Sequence, residues 1–383
     1  MNSWLMHEDQ TKCDTFGLVE ANNSGYQVHR SVVIWLCLGL FLVYMQIVIG
    51  GITRLTGSGL SITEWEIVTG TFPPFTGEAW QLEFDKYKDT PQFTKVNQGM
   101  EMGSIFSPGS FKFIYFWEYL HRLWARSMGF VFIFPFLFFY FKKMVPISLV
   151  KRLGIVIGLA ALAATFGWIM VASGLIDRPW VNAYKLSLHL CIGISVFIAL
   201  WWAFIRYIHS GRQVSRVTVP SYVKWMLVLL IIQIFLGGVM SGTRAALFIN
   251  TWPDLNGEMI PRDIFELENW NYVNFNEYEK SGFLVTLVQF LHRCLAYFIT
   301  GYAVWIMIKT IKTTSSYIKR SYNLFLVFLT LQVFIGIITL IKSVGVIPVL
   351  WGVLHQGVAV LVLASYVLHY FYTTKSAVQK LNT

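Results

Sequence analysis

The sequence predicts an all-α integral membrane protein with eight transmembrane helices, arranged as two tandem four-helix bundles. Hydrophobic residues make up 55% of the 383 positions and charged residues only 13%, too few to cover the surface of a soluble domain. Apolar runs of about 20 residues, the length that spans a bilayer core, recur along the chain. Motifs near the ends of these runs occur twice in the same order, which indicates a duplicated unit.

Eight spans account for the apolar runs. They are predicted near residues 32–52, 114–140, 153–173, 184–205, 222–242, 283–308, 321–341 and 349–371. The connections between them are short, except for loops 53–113 and 243–282. Both loops are longer than bare connections usually are, so we expect them to act as caps over a functional site.

The placement of charge predicts an orientation. The net charge of +10 invites a nucleic-acid-binding interpretation, but the placement of the charge argues against it, because basic and acidic residues lie in different connections. Connections 141–152, 206–224 and 309–320 each carry four Lys or Arg and no acid. An excess of Lys and Arg in short loops marks the cytoplasmic side, so these connections and both termini are expected there. The expected partner is therefore the lipid bilayer, and no nucleic acid.

The predicted domain organisation follows from the spans. We expect a cytoplasmic tail at 1–31, an N-terminal four-helix unit at 32–208, a cytoplasmic linker at 209–221, a C-terminal four-helix unit at 222–372 and a tail at 373–383. The first 30 residues carry four acids beside Lys12 and Arg30, which is typical of neither a signal peptide nor a transit peptide. We therefore expect the bacterial inner membrane, with the mitochondrial inner membrane as the alternative.

Three motifs occur once in each unit. A Gln-x-x-x-Gly-Gly motif ends spans 1 and 5, a Glu/Gln-x-x-His-Arg motif lies in spans 2 and 6, and spans 4 and 8 each carry a histidine in their outer part. The residues are Gln46, Gly50 and Gly51 with Gln233, Gly237 and Gly238; Glu118, His121 and Arg122 with Gln289, His292 and Arg293; and His189 with His355. Two units in the same orientation, related by an axis along the membrane normal, account for this order.

Four of the eight histidines lie in the outer parts of spans 2, 4, 6 and 8: His121, His189, His292 and His355. Each unit therefore offers two histidines at similar depth on different helices. Neutral imidazole is a natural axial ligand of haem iron, and a four-helix unit can hold the porphyrin between its helices. A single histidine in a span is often a packing residue, but four at equivalent positions favour metal ligation in a cofactor site.

Four arginines at the same membrane face are candidate partners of haem propionates: Arg54, Arg122, Arg244 and Arg293. A guanidinium group suits the geometry of a carboxylate. The alternative is that these side chains only extend to the membrane interface.

The two units differ at one position that carries chemistry. Glu118 lies three residues before His121, so the two side chains share a helix face. The corresponding residue in the second unit is Gln289. Glu118 is the only carboxylate within a predicted span, and an ionisable group there is a functional candidate. The difference predicts substrate chemistry in the first unit and a permanently bound electron-transfer haem in the second. A hydrogen-bonding role of Glu118 at the water interface is the alternative.

These residues resemble those of the haem A synthase family. The resemblance rests on Glu-x-x-His-Arg in span 2, Gly-Gly-x-Thr-Arg at the end of span 1, the four outer histidines, and segments 57–65 and 242–246. The two segments are similar to the proteobacterial and mitochondrial branch, and the resemblance covers essentially the whole chain. Some members carry a cysteine pair in the first outer loop, whereas loop 53–113 has none, so no mechanism that needs the pair applies here.

The resemblance implies that the C8 methyl group of haem O is oxidised to a formyl group by successive hydroxylations, giving haem A for cytochrome c oxidase. Haem O is then the substrate, and one haem b is the cofactor of the C-terminal half. The implied catalytic residues are Glu118, His121 and His189; the substrate haem is bound by His121, His189, Arg122 and Arg54; and haem b is held by His292, His355, Arg293 and Arg244. An electron donor, haem O synthase and cytochrome c oxidase assembly factors are the implied partners.

Two other functions remain open on the residues alone. A di-haem b-type cytochrome would transfer electrons without oxidising a methyl group, but it predicts equivalent units, whereas Glu118 and Gln289 differ. A transporter built on a parallel repeat would leave the four matched histidines without a shared purpose. Reduced-minus-oxidised absorption spectra, followed by extraction of bound porphyrins, would distinguish the three functions.

Overall fold

The computed structural model describes residues 28–64, 72–98, 106–176, 178–210, 219–313 and 315–379. Eight long helices lie within these ranges: α1 (Arg30–Leu55), α2 (Pro108–Phe141), α3 (Ile147–Gly174), α4 (Ala183–Ile208), α5 (Ser221–Gly242), α6 (Phe283–Ile311), α7 (Ser316–Ile341) and α8 (Val349–Gln379). Each is long and apolar enough to cross a membrane, and the described residues form no strand. The prediction of an all-α membrane protein with eight spans is confirmed.

Two helix ends differ from the predicted spans. Helix α2 begins at Pro108, well before the predicted residue 114, because the Ser107 side chain caps it by accepting a hydrogen bond from the amide of Ser110. Helix α8 continues to Gln379 and so includes part of the predicted tail at 373–383. Most of the predicted tail at 1–31, most of the linker at 209–221, and Trp65 lie outside the described residues.

The helices pack as two units of four. In the first unit, α1 packs against α2 and α4, and α3 packs against α4. In the second unit, α5 packs against α6 and α8, and α7 packs against α6 and α8. The units meet through α1, α4, α5 and α8, so these four helices are central and the other four are peripheral. The peripheral helix α2 accordingly exposes large apolar side chains, among them Phe130, Phe134 and Phe138.

Close backbone approach between α4 and α5 forms one seam between the units. A Cβ at Gly242 would lie 2.5 Å from the Cα of Ala183, and a Cβ at Gly238 would lie 2.8 Å from the Cα of Ser187. The Ser187 hydroxyl also donates to the carbonyl of Phe235 at 2.6 Å. Small residues that let helix backbones approach are typical of membrane helix interfaces.

A second seam joins α1 to α8, where side chains rather than backbone lie against the glycines. A Cβ at Gly352 would lie 2.6 Å from Cδ1 of Leu55, and a Cβ at Gly51 would lie 2.9 Å from Oε1 of Gln356. The Gln356 amide donates to the carbonyl of Ile47 at 2.7 Å. Glycines at matching motif positions, Gly51 and Gly238, therefore hold the two seams, as a duplicated unit requires.

Both long loops are folded where the structure describes them. The first contains the helix Gly77–Lys88 and the π-helical turn Phe93–Asn97, which pack against the start of α2 through buried aromatic side chains. The second is tied to α4, because the hydroxyl of Tyr278 accepts a hydrogen bond from the amide of Ala183 at 2.9 Å. Folded loops over the helix ends have the form expected of caps.

Candidate functional site

One cavity of about 1110 Å³ is lined by residues of both units. Sites for a single small molecule usually measure about 300–1,000 Å³, so this cavity is large enough for a large ligand. The predicted site residues among its lining are Arg54, Glu118, His121, Arg122, His189, Arg244, His292, Arg293 and His355. The structure therefore brings every predicted site residue to one place, and the expected two sites share a single cavity.

The four histidines form the two predicted pairs. His121 and His189 of the first unit and His292 and His355 of the second all line the cavity. The Nδ1 atoms of His189, His292 and His355 are buried and make no hydrogen bond with described residues. Burying a polar atom without a hydrogen-bond partner costs free energy. A ligand that binds these nitrogen atoms would remove that cost.

Each histidine ring lies against a glycine of the preceding helix. The pairs are His121 on Gly50, His189 on Gly167, His292 on Gly237 and His355 on Gly336. A Cβ at these glycines would lie 3.1, 3.1, 3.2 and 2.7 Å from the nearest ring atom. The glycines therefore leave the space in which the rings sit, which gives Gly50 and Gly237 of the repeated motif a role in the site.

The glutamines of the repeated motif contact three of the four histidines. The amide nitrogens of Gln233 and Gln332 lie 3.2 Å from Nε2 of His292 and His355, respectively. Gln46 instead donates to the main-chain carbonyl of His121 at 3.3 Å. The residue at this place in α3, four positions before Gly167, is Ala163. Among described residues, side-chain hydrogen bonds to the histidine rings thus occur only in the second unit.

Sequence analysis missed this Gln-x-x-x-Gly unit in α7. Gln332 and Gly336 repeat the spacing of Gln233 and Gly237, so each helix pair of the second unit presents its histidine in the same way. The signal was available in the printed sequence. The repeat is visible only when helix pairs, rather than whole units, are compared.

Glu118 anchors the first outer loop to α2. Its Oε2 accepts hydrogen bonds from the Ser61 amide at 2.7 Å, the Ser61 hydroxyl at 2.7 Å and the Ile62 amide at 2.9 Å. Its Oε1 accepts from Arg122 at 2.6 Å. Arg122 also donates to the carbonyls of Ile62 and Glu64, each at 3.2 Å. Since Glu118 is only 3% exposed, its carboxylate and the Arg122 guanidinium form a buried ion pair under the loop.

Gln289 and Arg293 anchor the second outer loop, but here the side chains donate hydrogen bonds to the loop backbone. The fully buried Gln289 amide donates to the carbonyl of Ile249 at 3.0 Å and accepts from Arg293 at 3.1 Å. Arg293 donates to the carbonyls of Thr251 at 3.0 Å and Asp254 at 2.7 Å. The first loop therefore presents backbone N–H groups to a carboxylate, whereas the second presents only carbonyls. This accounts for the Glu118/Gln289 difference in terms of local hydrogen bonding.

The other two predicted arginines lie where the units meet. Arg54 donates to the carbonyls of Ser241 and Gly242 at the end of α5. The guanidinium of Arg244 lies over the ring of Trp180. The Nε atoms of both arginines are buried without a partner in the described chain. Of the four predicted arginines, these two have the fewest polar contacts with the protein.

These features define a class: a multi-pass membrane protein with a duplicated four-helix unit and paired histidines around one cavity. The family model for cytochrome oxidase assembly proteins matches residues 33–367. The heme A synthase of Flavobacterium psychrophilum is 39% identical over 348 residues, covering 90% of this chain and 98% of the relative. The heme A synthase of Nitrosospira multiformis is 35% identical, covering 91% of this chain and 94% of the relative. The chain belongs to this haem A synthase family.

Replacing Glu118 with Gln should loosen the first loop above the cavity. The amide oxygen could still accept from Ser61 and Ile62, but it carries no charge, and the amide nitrogen would face the donor Arg122. Hydrogen bonds to charged groups contribute about 1.5–3 kcal/mol, so hydrogen–deuterium exchange across 58–64 should accelerate about tenfold or more. Mass spectrometry of peptides from this segment measures the change.

A suitable control is Glu64→Gln. The Glu64 carboxylate is 55% exposed and pairs with Lys86 at 2.9 Å, so its neutralisation should leave exchange nearly unchanged. Wild-type exchange rates in Glu118→Gln would contradict the anchoring role.

Proposed function

We propose that this protein is a haem A synthase, an enzyme that oxidises the C8 methyl group of haem O to a formyl group and supplies haem A to cytochrome c oxidase. The observation that carries the proposal is one cavity lined by a histidine pair from each unit. Relatives that match nearly the whole chain, from Flavobacterium psychrophilum and Flavobacterium johnsoniae, are named heme A synthases.

The groups that line the cavity suit haem. Six buried nitrogen atoms of the lining histidines and arginines have no hydrogen-bond partner in the described chain: Nδ1 of His189, His292 and His355, Nε of Arg54 and Arg244, and Nη2 of Arg293. Imidazoles ligate haem iron, and guanidinium groups pair with carboxylates such as propionates. A flat apolar macrocycle with iron at its centre and carboxylates at one edge therefore matches both sets of groups.

The substrate and the cofactor are assigned to different units. We assign haem O to His121 and His189, and a single haem b to His292 and His355. Glu118 supports the first assignment, because it lines the cavity and is the carboxylate of α2 on the face of His121. The glutamines beside both rings of the second pair support a permanently held haem there, because an amide turned to present its oxygen to Nε2 would accept the N–H and orient the ring as a metal ligand.

The residues of the first unit have distinct roles in the oxidation. Converting a methyl group to a formyl group is a four-electron oxidation, in which the carbon loses two hydrogens and gains one oxygen atom. His121 and His189 hold and orient the macrocycle, while Glu118 balances positive charge or accepts a proton beside it. Ser61 and Ile62 keep that carboxylate in place, and the loop they belong to limits access of water from outside. Haem b, when bound by the second pair, would supply electron transfer.

The arginines divide into two groups in this proposal. We retain Arg54 and Arg122 for the substrate haem, and Arg244 and Arg293 for haem b. Because Arg122 and Arg293 already donate to loop carbonyls, their contribution is chiefly to hold the loops at the propionate edge. An electron donor, haem O synthase and oxidase assembly factors remain the proposed partners.

Histidine substitution tests the division of labour between the units. Ala at His292 or His355 should abolish most of the tightly bound haem b in the purified protein, because one axial ligand is lost. Ala at His121 or His189 should keep haem b but make cells accumulate haem O instead of haem A. Pyridine haemochrome spectra and chromatography of extracted porphyrins give the two readouts. Full haem b retention in both second-unit variants would refute the assignment.

Glu118→Gln should reduce haem A formation by a factor of about 100 or more at matched protein levels, within the usual range for an acid–base group. Since the same change also loosens the loop, Ser61→Ala is the companion variant. It removes one hydrogen bond to the carboxylate but keeps the charge. If Ser61→Ala lowers haem A as much as Glu118→Gln does, Glu118 acts only through the loop.

The proposed location is the bacterial inner membrane, with basic connections and termini in the cytoplasm. Multi-pass insertion is consistent with the eight membrane-capable helices. A cysteine introduced at Lys142 should resist an impermeant thiol reagent in intact cells, because short basic loops stay inside. A cysteine introduced at the exposed Leu267 of the second outer loop should react. The reverse labelling pattern would overturn this orientation.

A further inference from the structure

Arg54 and Arg244 are each held by the unit to which they do not belong. Arg54 ends α1 of the first unit, yet its Nη2 donates to the carbonyls of Ser241 at 2.8 Å and Gly242 at 3.1 Å in the second. Arg244 follows α5 of the second unit, yet its guanidinium carbon lies 3.2 Å from the ring centre of Trp180 in the first. The two side chains therefore cross at the boundary between the units.

The side chain of Arg54 and the backbone of Arg244 meet at one carbonyl. The carbonyl of Ser241 accepts both from Nη2 of Arg54 and from the backbone N–H of Arg244, the latter at 3.2 Å. Arg244 adopts the left-handed conformation, with φ at 55°, which turns the chain at this point. Burial and the charge of Arg54 lower the pKa of Arg244 to about 9, so the side chain remains protonated at neutral pH.

No carboxylate of the described residues balances these charges. The ion pairs among the described residues involve neither Arg54 nor Arg244. Both side chains line the cavity, and the Nε atom of each is buried without a hydrogen-bond partner. Two adjacent, poorly solvated cations repel each other and favour an anion between them. The fork of N–H donors on a guanidinium group fits a carboxylate best.

We infer that Arg54 and Arg244 form one carboxylate-binding site shared by the two units, which takes a propionate of the macrocycle bound in either unit and couples the two haem sites energetically. The inference rests on the proposed function and adds that the arginines do not act one per unit. Because both ligands present negative charge to the same pair of cations, each ligand changes the binding and redox equilibria of the other. Arg54 therefore influences haem b although it belongs to the substrate unit.

The first experiment measures the midpoint potential of haem b in the purified protein. Arg54→Gln removes a positive charge near the macrocycle, which favours the ferric state. At a fixed potential, the ratio of ferric to ferrous haem b should rise about tenfold. Arg54→Lys keeps the charge, so its potential should stay near that of the wild type. Arg244→Gln provides a second variant if Arg54→Gln retains too little haem b.

Arg178→Gln is the matched control. Arg178 also crosses between the units, donating to the carbonyl of Asn276 at 2.6 Å and lying over the Tyr278 ring, but it does not line the cavity. Its loss should leave the potential of haem b unchanged. An unchanged potential in both Arg54→Gln and Arg244→Gln, with haem b retained, would overturn the shared site.

The second experiment tests the coupling with a chemical probe. Haemin added to the first unit of the purified protein should shift haem b to lower potential, whereas haemin dimethyl ester, which lacks the carboxylates, should not. The shift by haemin should shrink in Arg54→Gln. Equal shifts by the acid and the ester would overturn the inference. A wild-type protein without haem b bound through His292 and His355 would instead refute the proposed function.

Discussion

Close packing of an imidazole ring against a glycine recurs four times in this protein, and the geometry of the cavity depends on it. A side chain at Gly336 would begin 2.7 Å from the His355 ring, so the ring could not keep its place if the helix carried any larger residue. Membrane helices gain little from burying apolar surface against one another, because lipid is equally apolar. Small residues at helix contacts therefore decide how near the helices come and which polar groups meet between them.

The duplicated unit explains both the symmetry of the site and its departures from symmetry. The seams at Gly51 and Gly238 place the four central helices around one cavity, so the two histidine pairs are neighbours rather than separate sites. The two units differ in the side chains around their histidines in two respects. The second unit adds glutamine contacts to both rings, and the first has a carboxylate where the second has an amide. These differences fit one unit that releases its haem and one that keeps it.

The outer loops are part of the site because buried groups of α2 and α6 hold them. Glu118 with Arg122 binds one loop, and Gln289 with Arg293 binds the other. A buried charge needs partners to offset its desolvation, and here the loop backbone supplies them. Any chemical role of Glu118 is therefore linked to the closure of the first loop, and the two effects must be separated by variants that keep the charge.

The sequence by itself determined the fold class and the eight spans, and it named candidate site residues that prove to line one cavity. These features depend on local properties of the sequence. They are the length of the apolar runs, the repeated motifs and the rarity of ionisable groups in the spans. Only the tertiary structure decided what those residues touch. Arg122 and Arg293 lie beside predicted ligands in sequence, yet they bind loop carbonyls. Arg54 and Arg244 belong to different units by sequence, yet they meet at the boundary between them. Such contacts depend on how segments that are distant in sequence pack against one another. The spacing of motifs along the sequence does not reveal that packing.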